Sequence, residues 1–277
     1  MSILYVVGTP IGNLGDMSPR AVETLNSVDF IAAEDTRVTL KLLNHFNIKK
    51  PMISYFEHNK AERGEIICAK ILGGQSCALV TDAGMPAISD PGEELVQQCR
   101  EKGIKTVAVP GPSAVVSALA LSSLPTGRFT FEGFLSMNKK SRREHLEEIR
   151  DERRTMVFYE APHKLPSTLN DLYNALGDRE ISIVRELTKI HEEVIHTSLK
   201  EAAEKYADGS LKGEIVLVIK GAEKKQEEQP TLEQAVALAR DLCEKDGCSL
   251  SEACKRAAKE TGFKKGEIYK LMIYQLE

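Results

Sequence analysis

The chain has 277 residues, a formal net charge of -4, 42% hydrophobic and 28% charged residues. That length predicts two compact units with a small appendage. The charge excludes a surface coated for sequence-independent nucleic-acid binding, and no apolar run reaches the roughly 18 residues of a membrane-spanning helix.

In chain order, the first half alternates apolar strands with helical stretches. The strands are ILYVVG, DFIAAED, PMISYF, SCALVTD and KTVAVPG. The helices are expected at Pro19–Leu25, Thr39–Phe46, Ala61–Leu72, Gly92–Lys102 and Ser113–Leu121. This rhythm predicts a mostly parallel sheet covered on both faces, an amino-terminal α/β domain over residues 1–135. Residues 136–154, with MNKKSRREHLEEIRDERR, carry few large apolar side chains and read as a solvated basic connector, helical in part. A second α/β domain over 155–221 starts at TMVFYEAP and closes with GEIVLVIKG. Between them EISIVREL and EEVIHTSL stand too close for a helical crossover, which predicts an antiparallel hairpin and a mixed sheet. Ala222–Pro230 is a charged linker, and residues 231–277 form a helical tail with Thr231 and Ser249 as N-caps. The break at ETGFKKGE leaves that tail open to two readings, a helix-turn-helix or a small packing bundle.

The amino terminus MSILYVV lacks a basic region, and its apolar stretch ends at Gly8, so no secretion signal is read. Six cysteines without a C-x-x-C pair predict reduced thiols, no metal site and a cytoplasmic chain.

Gly8, Gly12 and Gly15 follow the first strand at a spacing that matches neither a dinucleotide-binding turn nor a P-loop, and no lysine follows. Pro10 removes a backbone donor from the same loop. The turn therefore suits a ligand that approaches the backbone without a phosphate, at the carboxyl edge of an open sheet. LVTDAGMPAISDPG, VAVPGPSAVVSAL, with Ser113 able to cap a helix, and FIAAEDTR fall at the same edge.

GTPIGNLGD, AAEDTR, VTDAGMPAISDPG, VPGPSA and FYEAPH, in that order, resemble the tetrapyrrole-methylase-like family of S-adenosylmethionine-dependent methyltransferases over essentially the whole chain. The resemblance implies a two-domain tetrapyrrole-methylase-like α/β fold, with a parallel-type sheet in the first domain, a mixed sheet in the second and a helical carboxyl-terminal appendage. It implies S-adenosylmethionine in the cleft between domains, held at Pro10, Ala83, Gly84, Met85, Ile88, Ser113, Ala114, Glu160 and Leu187. Where relatives acting on tetrapyrroles carry Gly-Asp-Pro, this chain reads Gly84-Met85-Pro86, and Asp82 is the substitute for the acidic contact. Within the family, the motifs are most similar to members that methylate a ribose 2′-hydroxyl of a cytidine in the decoding region of small-subunit ribosomal RNA. A homodimer is implied too. Methylation of a tetrapyrrole precursor and non-catalytic RNA binding are the alternatives.

Methyl transfer from a sulfonium needs the acceptor oxygen positioned more than it needs a base. Asp35, Glu34, Asp82, Glu186 and His163 are the candidates to take the hydroxyl proton, with Asp35, its partner Arg37 and Glu186 preferred as catalytic residues. Lys139, Lys140, Arg142 and Arg143 in the connector, and Lys264 and Lys265 in the tail, are the expected RNA contacts, on free RNA or on the assembled small subunit. With no tryptophan in the chain, phosphate and shape contacts are expected over base stacking.

Overall fold

The computed structural model describes residues 3–223 and 231–274, in two compact units, Met1–Ala222 and Glu223–Glu277. The linker expected at Ala222–Pro230 lies outside the described residues beyond its first two positions.

In unit 1, β1 (Ile3–Val7), β2 (Phe30–Ala33), β3 (Met52–Ser54), β4 (Cys77–Val80) and β5 (Lys105–Val109) pair in parallel in the order β3-β2-β4-β1-β5. β2 and β4 are buried along their whole length, which is why FIAA and CALV read as unbroken apolar runs. Successive side chains point to opposite faces. Phe30, Ala32 and Leu79 meet Ile67, Ile71 and Leu95 from α3 (Lys60–Leu72) and α4 (Glu93–Glu101). Ile31, Ala33 and Val80 meet Ala21, Leu25 and Leu43 from α1 (Pro19–Ser27) and α2 (Thr36–His45).

The second sheet has the order β6-β7-β10-β8-β9, made by β6 (Phe129–Gly133), β7 (Thr155–Glu160), β8 (Glu180–Arg185), β9 (Glu193–Ser198) and β10 (Ile215–Ile219). β6 runs parallel to β7, and every other neighbouring pair is antiparallel, the β8–β9 hairpin included. The second lobe therefore starts before the boundary expected at residue 135. β6 leaves the first domain because its backbone donors and acceptors are satisfied by β7. Nor is the connector a solvated spacer. Its helix α6 (Lys139–Glu148) sets Leu146 into the second core beside Leu135 and Ile149. α7 (Leu165–Leu176) and α8 (Leu199–Lys205) cover the same face.

The other face of the second sheet is covered by α5 (Ala114–Leu121), which follows β5 in the chain. Val115, Ala118 and Leu119 pack on Val157, Val184, Val216 and Val218. The helix sequence AVVSALAL is apolar nearly all round because it joins the two lobes. This joint brings the carboxyl ends of β1, β4 and β5 against the ends of β7 and β8.

Unit 2 is a three-helix bundle of α9 (Leu232–Asp246), α10 (Leu250–Thr261) and α11 (Lys265–Tyr274) around Val236, Cys254, Ile268 and Met272. Thr231 forms a capping box with Gln234, Ser249 accepts the Glu252 N–H, and Gly247 and Gly262 end their helices in the left-handed conformation. Among the described residues no helix is long and apolar enough to cross a membrane.

Candidate functional site

Between the two lobes of unit 1 lies a cavity of about 360 Å³, within the size range of small-molecule sites. Its walls come from the loops after β1, β4, β5, β6, β7 and β8 and from the start of β10.

Two glycines set the shape of this edge. A Cβ on Gly8 would stand 2.7 Å from Gly111 Cα and from Met85 Sδ, and one on Gly111 would stand 2.8 Å from the Gly8 backbone. Two loops thus touch main chain to main chain, the close approach that the opening turn suggested. Thr9 and Gly84 exchange backbone hydrogen bonds of 2.9 and 3.1 Å, tying the first loop to the second, and Gly84 takes a φ of +85°. Four residues with side chains also hold positive φ around the cavity, Ala87 (67°) and Ser89 (63°) in one loop, Glu186 (51°) and Thr188 (65°) in the β8–β9 turn. Each such residue costs about 1–3 kcal/mol of local strain, which the packed surroundings sustain.

The lining is mostly apolar and backbone, and its charges have one sign. Asp90, Glu160 and Glu214 line it, with no lysine, arginine or histidine among the described lining residues; the Glu214 charge is already paired, its Oε2 accepting the Lys189 ammonium at 2.7 Å. This environment repels a phosphate and suits a cationic ligand. Glu160 is buried; its Oε1 accepts the Ala161 N–H at 2.8 Å, and its Oε2 accepts from the Thr168 hydroxyl. Burial, then the neighbouring Glu34 carboxylate, push the Asp90 carboxyl up to about 6. Burial, and Asp90 beside it, raise the Tyr159 hydroxyl as well.

Of the cofactor contacts the resemblance implied, Ala83, Gly84, Met85 and Ile88 line the cavity on one side. Ser113, Ala114, Glu160 and Leu187 line it on the others. Pro10 and Asp82 do not. Pro10 is buried behind the Thr9–Gly84 bridge, and Asp82 Oδ1 accepts the Asp35 N–H at 3.2 Å outside the cavity. Ser113 stands at the N-cap of α5 but makes no side-chain capping bond, contrary to expectation.

The three preferred catalytic residues lie outside the lining. Asp35 N-caps α2, accepting the Arg37 N–H at 2.8 Å, and holds the Arg37 guanidinium at 2.6 and 3.0 Å. That guanidinium keeps the Asp35 carboxyl well below the usual carboxylate range, a poor base. Glu186 Oε1 accepts the Glu214 N–H and the Lys189 ammonium, both at 2.9 Å, so its carboxylate braces the β8–β9 turn against β10. His163 is exposed outside the cavity, and Glu34 accepts the Thr81 hydroxyl at 2.6 Å.

In the cation cluster, Lys139, Lys140 and Arg143 are exposed, whereas Arg142 is bound inward to Asp171 and Thr168 and is not a free RNA contact. Lys264 and Lys265 are exposed in unit 2. Sequence reading missed Asp90, Tyr159 and Phe134. Asp90 had a signal, an acid inside the same Gly/Pro-rich loop as Ala83–Met85. Phe134 is 54% exposed on the cavity wall, edge-on to Tyr159 at 5.5 Å, so an aromatic face is on offer where none was expected.

Residues 3–203 match the family described as Tetrapyrrole (Corrin/Porphyrin) Methylases. A Synechocystis sp. protein, ribosomal RNA small subunit methyltransferase I, is 47% identical over 274 residues, 99% of this chain and 98% of that protein. A protein of the same description from Thermotoga maritima is 47% identical over 223 residues, 80% of this chain and 100% of that protein, a stretch the length of unit 1. Uroporphyrin-III C-methyltransferase from Thermus thermophilus, solved with S-adenosyl homocysteine, shares the fold at a TM-score of 0.56 and 14% identity, over 79% of this chain and 96% of that one. The two-lobed fold, the cavity edge built by its motif loops and these matches together place the chain in the tetrapyrrole (corrin/porphyrin) methylase family.

Proposed function

We propose that this chain transfers the methyl group of S-adenosylmethionine to the ribose 2′-hydroxyl of a cytidine in the decoding region of small-subunit ribosomal RNA, in the cytoplasm. One observation carries the reading of the site: the cavity at the strand ends is lined by the carboxylates of Asp90 and Glu160 and, among the described residues, by no lysine, arginine or histidine, which fits a ligand whose sulfonium and ammonium outweigh its one carboxylate and which has no phosphate. The choice of RNA as acceptor is supported by the relatives that share the chain nearly end to end and are described as ribosomal RNA methyltransferases. It is also supported by exposed Lys139, Lys140 and Arg143 on α6.

S-adenosylmethionine would supply an activated methyl group on a positively charged sulfur with a neutral sulfide as leaving group. Glu160 and Asp90 set a negative potential for that cation, while Ala83, Gly84 and Met85 present a close backbone wall. Asp90, poised near 6, accepts the proton of the attacking 2′-hydroxyl on a carboxylate oxygen. It replaces Asp35 in that role. Asp35 instead holds Arg37, whose side chain is 87% exposed, toward an RNA phosphate. Phe134 offers its ring to an unstacked base, as single-stranded RNA recognition uses aromatic faces. Lys264 and Lys265 belong to the same reading as phosphate contacts of unit 2. A homodimer completes it, with Val116 and Leu121 on the exposed side of α5 as the apolar seam.

The test is to supply labelled cofactor with small ribosomal subunits from a strain lacking the gene and to map the label. One 2′-O-methylated cytidine in the decoding region, resistant to alkaline cleavage at its 3′ side, is expected. Label on a base, or only in a tetrapyrrole fraction, overturns the proposal.

A further inference from the structure

The cation cluster on α6 is split by the helix. Lys140 has a side chain 77% exposed, but that of Arg142 is 15% exposed and turned toward α7. Its Nε donates to Asp171 Oδ2 at 2.6 Å and its Nη2 to Thr168 Oγ1 at 2.9 Å. Thr168 is 1% exposed, and its hydroxyl donates in turn to Glu160 Oε2. A threonine hydroxyl has one proton to give; with a guanidinium N–H on its acceptor side, that proton is left pointing at the carboxylate. The order is therefore Asp171, Arg142, Thr168, Glu160, cavity. Among the described residues no cation touches Glu160 directly, although it is 5% exposed and a buried carboxylate needs compensation. The positive charge reaches it through one hydroxyl, which the guanidinium polarises into a stronger donor.

We infer that Arg142 is a positioning residue of the cofactor site: acting through Thr168, it holds the Glu160 carboxylate in place at the cavity wall, so that its loss weakens binding of the cationic cofactor and leaves RNA binding unchanged. The inference rests on the S-adenosylmethionine reading of the cavity.

Calorimetry with S-adenosylmethionine on the full chain tests it, together with binding to small subunits as a function of salt. Arg142→Met and Thr168→Val are each expected to weaken cofactor binding about tenfold or more, the loss of one hydrogen bond to a charged group. Thr168→Ser, which keeps the hydroxyl, is expected to match the wild type, and Arg142→Lys to fall between. In the Thr168→Val background, Arg142→Met should add less than about twofold, because the connection is already cut. The salt dependence of subunit binding should not change. Equal cofactor affinity in all variants, additive losses in the double variant, or a salt slope lowered by about 0.7 with intact cofactor binding each overturn the inference, the last by making Arg142 an RNA contact. Should Arg142→Met fail to fold, the Thr168→Val and Thr168→Ser pair decides the matter. A wild-type chain that gives no heat with S-adenosylmethionine removes the cofactor reading itself, an outcome distinct from a wild type that binds and variants that bind equally.

Discussion

Asp90→Asn separates stability from activity, and both directions can be worked out. Burial and Glu34 raise the Asp90 carboxyl from 3.8 to about 6. At 1.36 kcal/mol per pH unit, that displacement is about 3 kcal/mol between the two protonation states, an upper limit. The folded value lies above the unfolded one, so the ionised group opposes folding: the penalty is absent below about pH 4 and complete above about pH 6. Asparagine keeps the shape but carries no charge. In urea unfolding, Asp90→Asn is therefore expected to be more stable than the wild type by up to about 3 kcal/mol at neutral pH, with the gap closing as the pH approaches 4. Methyl transfer should move the other way. If Asp90 is the proton acceptor as proposed, its loss is expected to lower turnover by about 10²-fold or more. Wild-type turnover should rise through about pH 6 to a plateau, because the ionised carboxylate is the working form. A variant no more stable than the wild type at neutral pH would show that Asp90 is not held against its charge. Unimpaired turnover, or a wild-type profile flat across pH 6, would remove it from the chemistry.

Three further outcomes are expected. Gly8→Ala puts a Cβ 2.7 Å from the Gly111 backbone, and should cost about 1–3 kcal/mol in urea unfolding and weaken S-adenosylmethionine in calorimetry; an unchanged variant would mean that the two loops are not in contact. Replacing Lys139, Lys140 and Arg143 together by glutamine should lower the log-log salt slope of subunit binding by up to about 2, measured by filter binding, with cofactor affinity intact. A chain ended after Ala222 should fold and bind S-adenosylmethionine as the full chain does, since the cavity and its supports lie within unit 1 and a relative spans about that length; loss of cofactor binding would assign the tail a part in the site.

Much of this architecture is written locally. Unbroken apolar runs at FIAA and CALV specify strands buried on both faces, and EISIVREL beside EEVIHTSL specifies a hairpin, because strand period and connection length act over a few residues. The Gly/Pro-rich loops were legible for the same reason, since Gly84 at a φ of +85° and Gly8 against Gly111 meet constraints that few other residues satisfy. Even the odd position of Arg142 had a local trace: it shares a helix face with Leu146 and Ile149, which are buried.

Tertiary structure decided what contact partners decide. β6 joined the second sheet because β7 satisfies its backbone, α5 left its own sheet's core to cover β7 and β10, and the charge cluster was divided by Asp171 and Thr168 on another helix. The same holds for the acids. Asp35 had the motif, but its charge is taken up by Arg37, while Asp90 is exposed to the field of Glu34 and withdrawn from water. A backbone preference belongs to a residue and its neighbours in the chain. Desolvation and the field of a distant charge belong to the packed arrangement, so the protonation of a carboxylate was decided only when the chain had folded around it.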